Sequence, residues 1–553
     1  MRARVGGFGD EFAAPPSHTT TDMMTERRRI IRLAGLVAFG LTAAACTATP
    51  SGNAAADDSN GAIREMMVAG YNDIDSVYID QKDLGDLAVA GLNQLSTVDP
   101  SVALSRDGTQ LTLLVDGTVK AVFEAPAESR ATEWGVLTAS YVHVALDTSP
   151  KLQELDEEQL YETLFQGIVT QLDSYSRYAS AERASENRAS REGFGGVGVR
   201  IAVEDNRVRI VSVMHYTPAE RAGLRADDMI TFIGDTPASG LTLDAIVQRL
   251  RGPVDSRVQL TVERTGTPEP IVVTLKREHV VPETVVYERE GDVAVIRIYG
   301  FNAETAGSLG REIERAQDEI GASLAGFVLD LRNNPGGLLD QAVEVSDMLI
   351  EEGRIVSTHG RHPDSHQYFE ASSGDEANGL PIVVLINGNS ASASEIVAAA
   401  LQDTGRAVVI GSNSYGKGTV QTVLRLPNDG ELTLTWARFH APSGYTLNDL
   451  GVLPTICTAR DGADPDALIA ALGSDRLPPL PVVWRNSVEH NDATALKELR
   501  ATCPIRRNEQ PVDLELALDL LHNATLYDRA LGLAGQPVLT VSSDPTVPEA
   551  TQP

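Results

Sequence analysis

The chain of 553 residues is poor in aromatic side chains, cysteine and positive charge. Phe, Trp and Tyr make up 5% of it, whereas it holds 47 Gly and 28 Pro, so we expect many turns. Its 46 Lys and Arg stand against 77 Asp and Glu, for a net charge of −31. Such a surface repels phosphates, which argues against nucleic acid as a partner. With 42% hydrophobic and 22% charged residues, the composition excludes a mainly disordered chain.

The N-terminal part has no apolar run that would span a bilayer comfortably. The run at residues 30–45 is shorter than the roughly 20 residues that a membrane helix needs. It follows three arginines at 27–29 and ends in small residues before Cys46, a pattern typical of a secretory signal. Small residues before a cysteine also resemble a bacterial lipoprotein cleavage site, in which Cys46 is lipidated. We expect export to the bacterial periplasm with membrane contact through that lipid; plain secretion and a twin-arginine signal are the alternatives.

Only three cysteines occur in the chain. An exported protein meets an oxidising compartment, in which cysteines pair as disulfides. If Cys46 is lipidated, Cys457 and Cys503 remain as a pair, and we expect a disulfide between them. Two buried free thiols are the alternative.

Hydrophobic periodicity divides the chain into regions of different type. Apolar residues recur at spacings of three and four over 62–95 and 155–172, which indicates helices, and 110–123 is typical of a hairpin. Short strands follow over 197–275, and from residue 293 strands alternate with helices, the pattern of an α/β layered core. The predicted fold class is therefore α/β multidomain. The expected segments are 1–46 (signal), 47–60 (tether), 61–185 (helical region with a small hairpin), 190–278 (β-rich module with helices), 284–456 (α/β core), 457–540 (helical extension) and 541–553 (tail).

A glycine-rich loop opens the β-rich module at 190–278. The loop consists of Gly195, Gly196, Val197, Gly198 and Val199. Together with the downstream stretch 218–234 and a helix that ends at 250–252, it resembles a PDZ domain. In such a domain, backbone N–H groups of the loop hold the terminal carboxylate of a peptide that adds a strand to the sheet edge. The resemblance implies protein or peptide partners with free, apolar C-termini, and it allows a regulatory adaptor.

Two turns carry candidate catalytic groups. Ser390, Ser392 and Ser394 lie where the strand at 382–386 meets an Ala-rich helix. Free N–H groups at a helix start favour a developing oxyanion, although serine here can simply cap the helix. Twenty-five residues after Ser392, Lys417 stands between two glycines. A buried lysine loses its proton more readily, and the neutral amine can then take the proton of a serine hydroxyl.

The order of these turns resembles the carboxy-terminal processing peptidases, also called tail-specific proteases, over about residues 160–455. The matching stretches are 172–178, 331–337, 390–396, 414–421 and 441–444. The resemblance implies a serine endopeptidase that cleaves near protein C-termini through an acyl-enzyme, without a metal or other cofactor. The catalytic positions that it implies are Ser392 as nucleophile, Lys417 as general base, Gln421 as the residue that orients the lysine, and Ala393 with Gly336 or Gly337 as oxyanion-hole donors.

The alternative class is a non-catalytic lipoprotein that uses a PDZ domain to bind or scaffold peptides. The joint presence of serine, lysine and glutamine in the family's order argues against it. His359, His362 and His366 have a spacing that suggests a metal site, but the Gly, Pro, Asp and Ser around them indicate a solvated loop. His440 is expected to be structural rather than a partner of the serine.

Overall fold

The computed structural model describes residues 54–535, except residue 373 and the stretches 461–462 and 489–492. The signal segment, Cys46 and the tail at 541–553 lie outside the described residues, so what the sequence indicates for them stays a prediction. Within the described part of the chain, no helix is both long and apolar enough to cross a membrane.

The first region is a bundle of helices with a small sheet. Its helices are α1 (Ala54–Val77), α2 (Leu84–Asn93), α3 (Leu95–Val98), α4 (Ala131–Thr148), α5 (Glu157–Val169) and α6 (Ala181–Glu192). Its strands are β1 (Val102–Asp107), β2 (Gln110–Val115), β3 (Thr118–Glu124) and β4 (Arg177–Ala179). The first three strands form a meander, one strand more than the expected hairpin. Helix α1 begins inside the stretch expected to be a tether, because residues 54–56 are alanines, the best helix formers.

The second region is a β-rich module. Its elements are β5 (Phe194–Gly196), β6 (Val199–Glu204), β7 (Arg207–Val213), α7 (Pro218–Arg221), β8 (Met229–Ile233), β9 (Thr236–Pro237), α8 (Leu243–Leu250), β10 (Arg257–Glu263), β11 (Ile271–Lys276) and β12 (Glu278–Val280). The main sheet has the order β11-β10-β8-β7-β6. Strand β6 is therefore an edge strand, and helix α8 packs Ile246 and Leu250 into the same core as Val197.

The third region is an α/β core. It contains β13 (Val285–Glu290), β14 (Val293–Ile298), α9 (Thr305–Ile320), β15 (Gly326–Asp330), α10 (Leu339–Asp347), β16 (Arg354–Gly360), β17 (Gln367–Glu370), β18 (Ile382–Ile386), α11 (Ala393–Asp403), β19 (Ala407–Gly411), β20 (Thr419–Arg425), β21 (Glu431–His440) and β22 (Ile456–Cys457). The central sheet has the order β13-β14-β15-β18-β19-β22 and is parallel from β14 onward.

The central sheet explains how three distant turns meet. Strands β15, β18 and β19 are buried along their whole length, as expected of parallel strands that are covered on both faces. The carboxyl ends of parallel strands meet at one edge of a sheet, where ligands commonly bind. The turns that follow these strands carry the glycines predicted for the oxyanion hole, the three serines and Lys417. A second sheet, in the order β17-β16-β21-β20, supplies Gln421.

The C-terminal extension packs on the central sheet. Its helices are α12 (Pro465–Gly473), α13 (Leu480–Val488), α14 (Ala493–Thr502), α15 (Pro511–Leu521) and α16 (Ala524–Leu533). Leu516 and Leu520 of α15 share a core with Val383 of β18. A disulfide joins Cys457 to Cys503 across 46 residues of chain, with their Cα atoms 5.8 Å apart. By the chain-entropy relation, a loop of this length stabilises the fold by about 4 kcal/mol.

Candidate active site

The serine turn contains three hydroxyls, of which two have structural partners. Ser390 Oγ donates to Leu331 O at 2.8 Å, and Ser394 Oγ donates to Asn334 O at 2.9 Å. Both serines are completely buried. Ser392 is only half-buried and lines a cleft of about 240 Å³. The structure therefore distinguishes Ser392 from its two neighbours without any reference to spacing.

Ser392 has a strained backbone at the start of helix α11. Its φ is 57° and its ψ is −115°, a conformation that non-glycine residues rarely adopt. Such strain concentrates at functional sites, and a sharp strand-to-helix turn presents its side chain at the helix N-terminus. Gly336 lies directly against this turn, because a Cβ added to it would come 2.8 Å from the Cβ of Ser392. The turn after β15 thus approaches the serine as closely as a backbone can.

The two candidate oxyanion-hole glycines differ in their hydrogen bonds. The N–H of Gly336 donates to Asn334 Oδ1 at 2.9 Å, so it is already occupied. Gly337 forms a parallel bridge with Phe301, in which the hydrogen bonds run from the N–H of Phe301 to the Gly336 carbonyl and from the N–H of Leu338 to the Phe301 carbonyl. The N–H of Gly337 itself is therefore directed away from Phe301. Among the described residues, the N–H groups of Gly337 and Ala393 have no acceptor. This geometry favours Gly337 over Gly336 as the partner of Ala393.

Glu395 joins the serine turn to the lysine turn. One carboxylate oxygen accepts from the N–H of Ser392 at 2.8 Å and from that of Lys417 at 2.9 Å. The other accepts from Ser414 Oγ at 2.5 Å and from the N–H of Gly416 at 2.6 Å. Burial raises the pKa of the Glu395 carboxyl, and these donors oppose the shift. From the sequence, Glu395 is most simply an acid in the first turn of a helix that could influence Ser392. Its bonds to the lysine turn were not predicted.

Lys417 lies in the same cleft as Ser392, largely removed from solvent. Burial lowers the pKa of its amine, and the nearby positive charge of Arg177 lowers it further. The Nζ atom lies 5.1 Å from the centre of the Tyr175 ring. No hydrogen bond joins Nζ to Ser392 Oγ in the described part of the chain. Groups that exchange a proton during a reaction often reach hydrogen-bond distance only when substrate is bound.

Gln421 also lines the cleft, although straight strand geometry would place it far from Lys417. Strand β20 starts only at Thr419, and its register with β21 shifts between Val420 and Gln421. This bulge re-aims the Gln421 side chain. Its amide nitrogen donates to Thr419 Oγ1 at 2.9 Å and to Thr435 Oγ1 at 3.2 Å. This leaves the amide oxygen of Gln421 as the atom that can accept a hydrogen bond from the lysine amine.

The cleft has an apolar wall and two arginines. The wall contains Leu338, Leu339, Ile396, Val420, Val423 and Phe439. The guanidinium of Arg191 is bonded to Glu431 at 2.8 Å, whereas that of Arg177 donates to the carbonyl of Tyr175. An apolar substrate side chain would remove this wall from water, which is favourable.

A buried ion pair supports the turn after β15. Asp330 accepts from Arg332 and from Arg297 at 2.7 Å each. Burial alone would raise the pKa of Asp330, but the two guanidinium groups hold it below its ordinary value. The pair fixes the point at which strand β15 gives way to the glycine turn.

The glycine-rich loop of the β-rich module is held through its carbonyls. Those of Gly195, Val197 and Gly198 accept from the N–H groups of Gly252, Ala219 and Met214, respectively. Gly198 has a φ of 81°, and a Cβ on it would come 2.2 Å from Thr217, so only glycine fits. Among the described residues, the N–H groups of Val197 and Gly198 have no acceptor. Gly196 belongs to β5, whereas Val199 begins the edge strand β6.

The rings of His359, His366 and His440 form a cluster outside the cleft. The His359 ring lies 5.3 Å from that of His366 and 5.0 Å from that of His440. No group of three or more His, Cys, Asp or Glu is arranged to hold a metal ion in the part of the chain that the structure describes. Burial, together with the neighbouring His359 and Arg438, lowers the pKa of His440 to about 4. His362 is separate from the cluster and accepts from the N–H of Asp364.

Fold and site together define a serine-type peptidase that carries a PDZ domain. Residues 292–458 match the family model of peptidase family S41, and residues 186–263 match that of the PDZ domain. The chain is 43% identical over 303 residues to the carboxy-terminal-processing protease of Bartonella bacilliformis, a match that covers 54% of this chain and 70% of the relative. The chain therefore belongs to the carboxy-terminal-processing proteases, and the resemblance, the fold class and the enzyme class inferred from the sequence are confirmed.

Other relatives have similar names. A probable CtpA-like serine protease of Staphylococcus aureus is 35% identical over 304 residues, which are 54% of this chain and 60% of that protein. Among solved structures, the photosystem II D1 C-terminal processing protease is 24% identical, with a TM-score of 0.36, over 71% of this chain and 92% of that one. A PDZ domain of the carboxy-terminal protease of Vibrio cholerae, solved with a peptide, is 28% identical with a TM-score of 0.15, over 16% of this chain and 96% of that one.

Proposed function

We propose that the protein is an exported serine endopeptidase that captures protein C-termini with its PDZ domain and cleaves near them with Ser392 and Lys417. The observation that carries the proposal is the placement of Ser392 and Lys417 in one cleft, on turns that Glu395 ties together. The two other serines of the turn are committed to buried hydrogen bonds. The apolar cleft wall favours binding of substrate tails that have apolar side chains.

In this proposal, the neutral Lys417 amine takes the proton of Ser392 Oγ while the oxygen attacks the scissile carbonyl. The free N–H groups of Ala393 and Gly337 stabilise the oxyanion that forms. The lysine ammonium then gives its proton to the leaving amine, which releases the C-terminal fragment and leaves an ester on Ser392. A water molecule, deprotonated by Lys417, hydrolyses the ester. Gln421 keeps the lysine directed at the serine through its amide oxygen.

The PDZ domain supplies the tail-binding step. Its edge strand β6 can pair with an extended peptide, and the unoccupied N–H groups of Val197 and Gly198 suit a terminal carboxylate. Export follows from the signal-like run before Cys46, and a lipid on Cys46 would hold the enzyme at a membrane of the periplasm. The disulfide between Cys457 and Cys503 agrees with an oxidising compartment.

Incubation with a small protein that ends in an apolar tail, followed by intact mass measurement, tests the proposal. Wild-type enzyme should shorten the substrate at its C-terminus, and Ser392→Ala should not. Ser394→Ala is the matched control, because it removes a buried hydroxyl of the same turn yet leaves the cleft intact. Shortening by Ser392→Ala would contradict the proposal, and binding without cleavage by wild type would favour the non-catalytic alternative.

A further inference from the structure

The C-terminal extension contributes a segment, residues 500–513, that crosses behind the serine turn; we call it the clasp. The carbonyl of Arg506 accepts from the N–H of Gly388 at 2.7 Å. The carbonyl of Arg507 accepts from Asn389 Nδ2 at 3.1 Å. The clasp also packs directly on this turn, because a Cβ added to Gly388 would come 2.2 Å from a clasp side chain. The turn that presents Ser392 is therefore held from behind by the clasp.

The clasp also bonds the turns after β15 and β19. These bonds join Ser412 Oγ to Arg506 O at 3.2 Å, Asn413 Nδ2 to Arg500 O at 3.2 Å, and Asn333 Nδ2 to Glu509 Oε1 at 2.8 Å. One short segment thus contacts all three turns that carry the proposed nucleophile, base and oxyanion-hole glycine.

Two buried attachments hold the clasp in place. Near its start, Cys503 forms the disulfide with Cys457 at the end of strand β22. At its end, Asp513 accepts from Arg332 at 3.2 Å and from Thr458 Oγ1 at 2.6 Å. Both cysteine and carboxylate are buried. Cleavage of the disulfide would release one end of the clasp but leave the other attached.

The remainder of the extension meets the core elsewhere. Tyr527 Oη donates to the carbonyl of Ile382 at 2.9 Å and accepts from its N–H at 3.0 Å, at the first residue of β18. This is the opposite end of the strand that leads to Ser392. Tyr527 therefore provides a control contact between the same extension and the same strand, away from the catalytic turns.

We propose that the clasp is a positioning element for the peptidase reaction and that the Cys457–Cys503 disulfide makes full activity dependent on oxidation. The inference rests on the proposed function. A shift of about 1 Å in a catalytic group can reduce a rate about a hundredfold, so three turns held by one segment are sensitive to its attachment. Reduction by dithiothreitol breaks the S–S bond and forms two cysteine thiols, while the reagent loses two electrons and two protons and closes into its cyclic disulfide.

The test compares the full-length double variant Cys457→Ser/Cys503→Ser with wild type and Tyr527→Phe. We expect kcat for tail cleavage to fall about tenfold or more in the double variant with KM little changed, because none of the residues bonded by the clasp lines the cleft or belongs to the PDZ loop. Dithiothreitol should lower the kcat of wild type to the level of the double variant, and it should leave the kcat of the double variant unchanged. Tyr527→Phe should lower the unfolding temperature but keep the wild-type kcat.

Hydrogen exchange provides a second readout that needs no turnover. Reduction should speed amide exchange at 387–392 and 412–418 and leave exchange around residue 382 unchanged. Wild-type kcat in the double variant, an equal loss in Tyr527→Phe, or unchanged exchange in the serine and lysine turns would each overturn the proposal. If Ser392→Ala retained cleavage, the proposed function would fail, whereas the exchange result would still decide the clasp.

Discussion

Replacement of Glu395 by Gln would remove one acceptor oxygen from the carboxylate that joins the two catalytic turns. In wild type, each carboxylate oxygen accepts two hydrogen bonds. Oε2 accepts from the N–H groups of Ser392 and Lys417, and Oε1 accepts from the Ser414 hydroxyl and the Gly416 N–H. A glutamine amide has a single oxygen, and its NH₂ group can only donate. With the amide NH₂ group facing Ser392 and Lys417, two donors would face another donor. With it facing Ser414 and Gly416, only the N–H of Gly416 would, because the Ser414 hydroxyl can also accept.

The size of the effect follows from this mismatch. A buried donor without an acceptor costs about 1–3 kcal/mol, and the better orientation of the amide leaves one such donor. Burial raises the pKa of Glu395, which means that its ionised form is itself costly, and loss of the charge offsets part of the penalty. We expect a net loss of about 2 kcal/mol, which corresponds to about thirtyfold in kcat if the two turns bear the strain.

The assay is steady-state cleavage of a tail peptide, with thermal unfolding measured in parallel. Asp403→Asn is the matched control, because Asp403 is buried at the other end of helix α11 and accepts from Ser443 and Arg485. This control should lose stability but keep kcat close to wild type. An equal loss of kcat in Asp403→Asn, or wild-type kcat in Glu395→Gln, would refute the view that Glu395 sets the geometry of both turns.

Two further changes test the charge and the oxyanion hole. In the proposed mechanism the base works as a neutral amine, so kcat/KM should rise with pH as Lys417 deprotonates. Burial, and then the charge of Arg177, lower the pKa of Lys417, so this rise should fall below the pH expected of an ordinary lysine. Arg177→Leu should move this limb to higher pH and Arg177→Lys should not; an unmoved limb in the leucine variant would exclude Arg177 as a cause. Gly337→Ala places a Cβ 2.0 Å from the Phe301 carbonyl and should reduce kcat about 10²–10³-fold with little change in KM, whereas Gly473→Ala, which has room for its Cβ, should not. A normal kcat in Gly337→Ala would remove its N–H from the mechanism.

The alternation of strands and helices after residue 293 predicts the α/β core, whereas the grouping of the candidate site residues came from the family resemblance. Strands β15, β18 and β19 are continuous apolar runs, and turns after such parallel strands meet at one edge. The burial of Lys417 was also predictable, because a lysine between two glycines next to an apolar strand is poorly explained as a surface charge. Both the apolar strands and the position of Lys417 are properties of short stretches of sequence, so the amino-acid pattern is enough to predict them.

The clasp, by contrast, could not be predicted. Several of its bonds to the three turns are made by the carbonyls of Arg506 and Arg507. Helices α13 and α14, the latter ending in the clasp, have weak sequence signals beside a proline-rich link. The pairing of Cys457 with Cys503 was predictable only by counting cysteines, not by their proximity. Long-range contacts of this kind depend on how elements that are distant in sequence pack together. Hydrophobic periodicity over a short stretch of sequence carries no information about that packing.

The choice among Ser390, Ser392 and Ser394 shows the physical limit of sequence reasoning. All three serines have the same hydroxyl, and alternation with alanine gives them equivalent local surroundings. What separates them is that the carbonyls of Leu331 and Asn334 capture the first and third hydroxyls. Every residue has a carbonyl, so such an acceptor leaves no trace in the amino-acid pattern. The turn after β15 thus holds two of the three hydroxyls by hydrogen bonding and leaves that of Ser392 at the cleft.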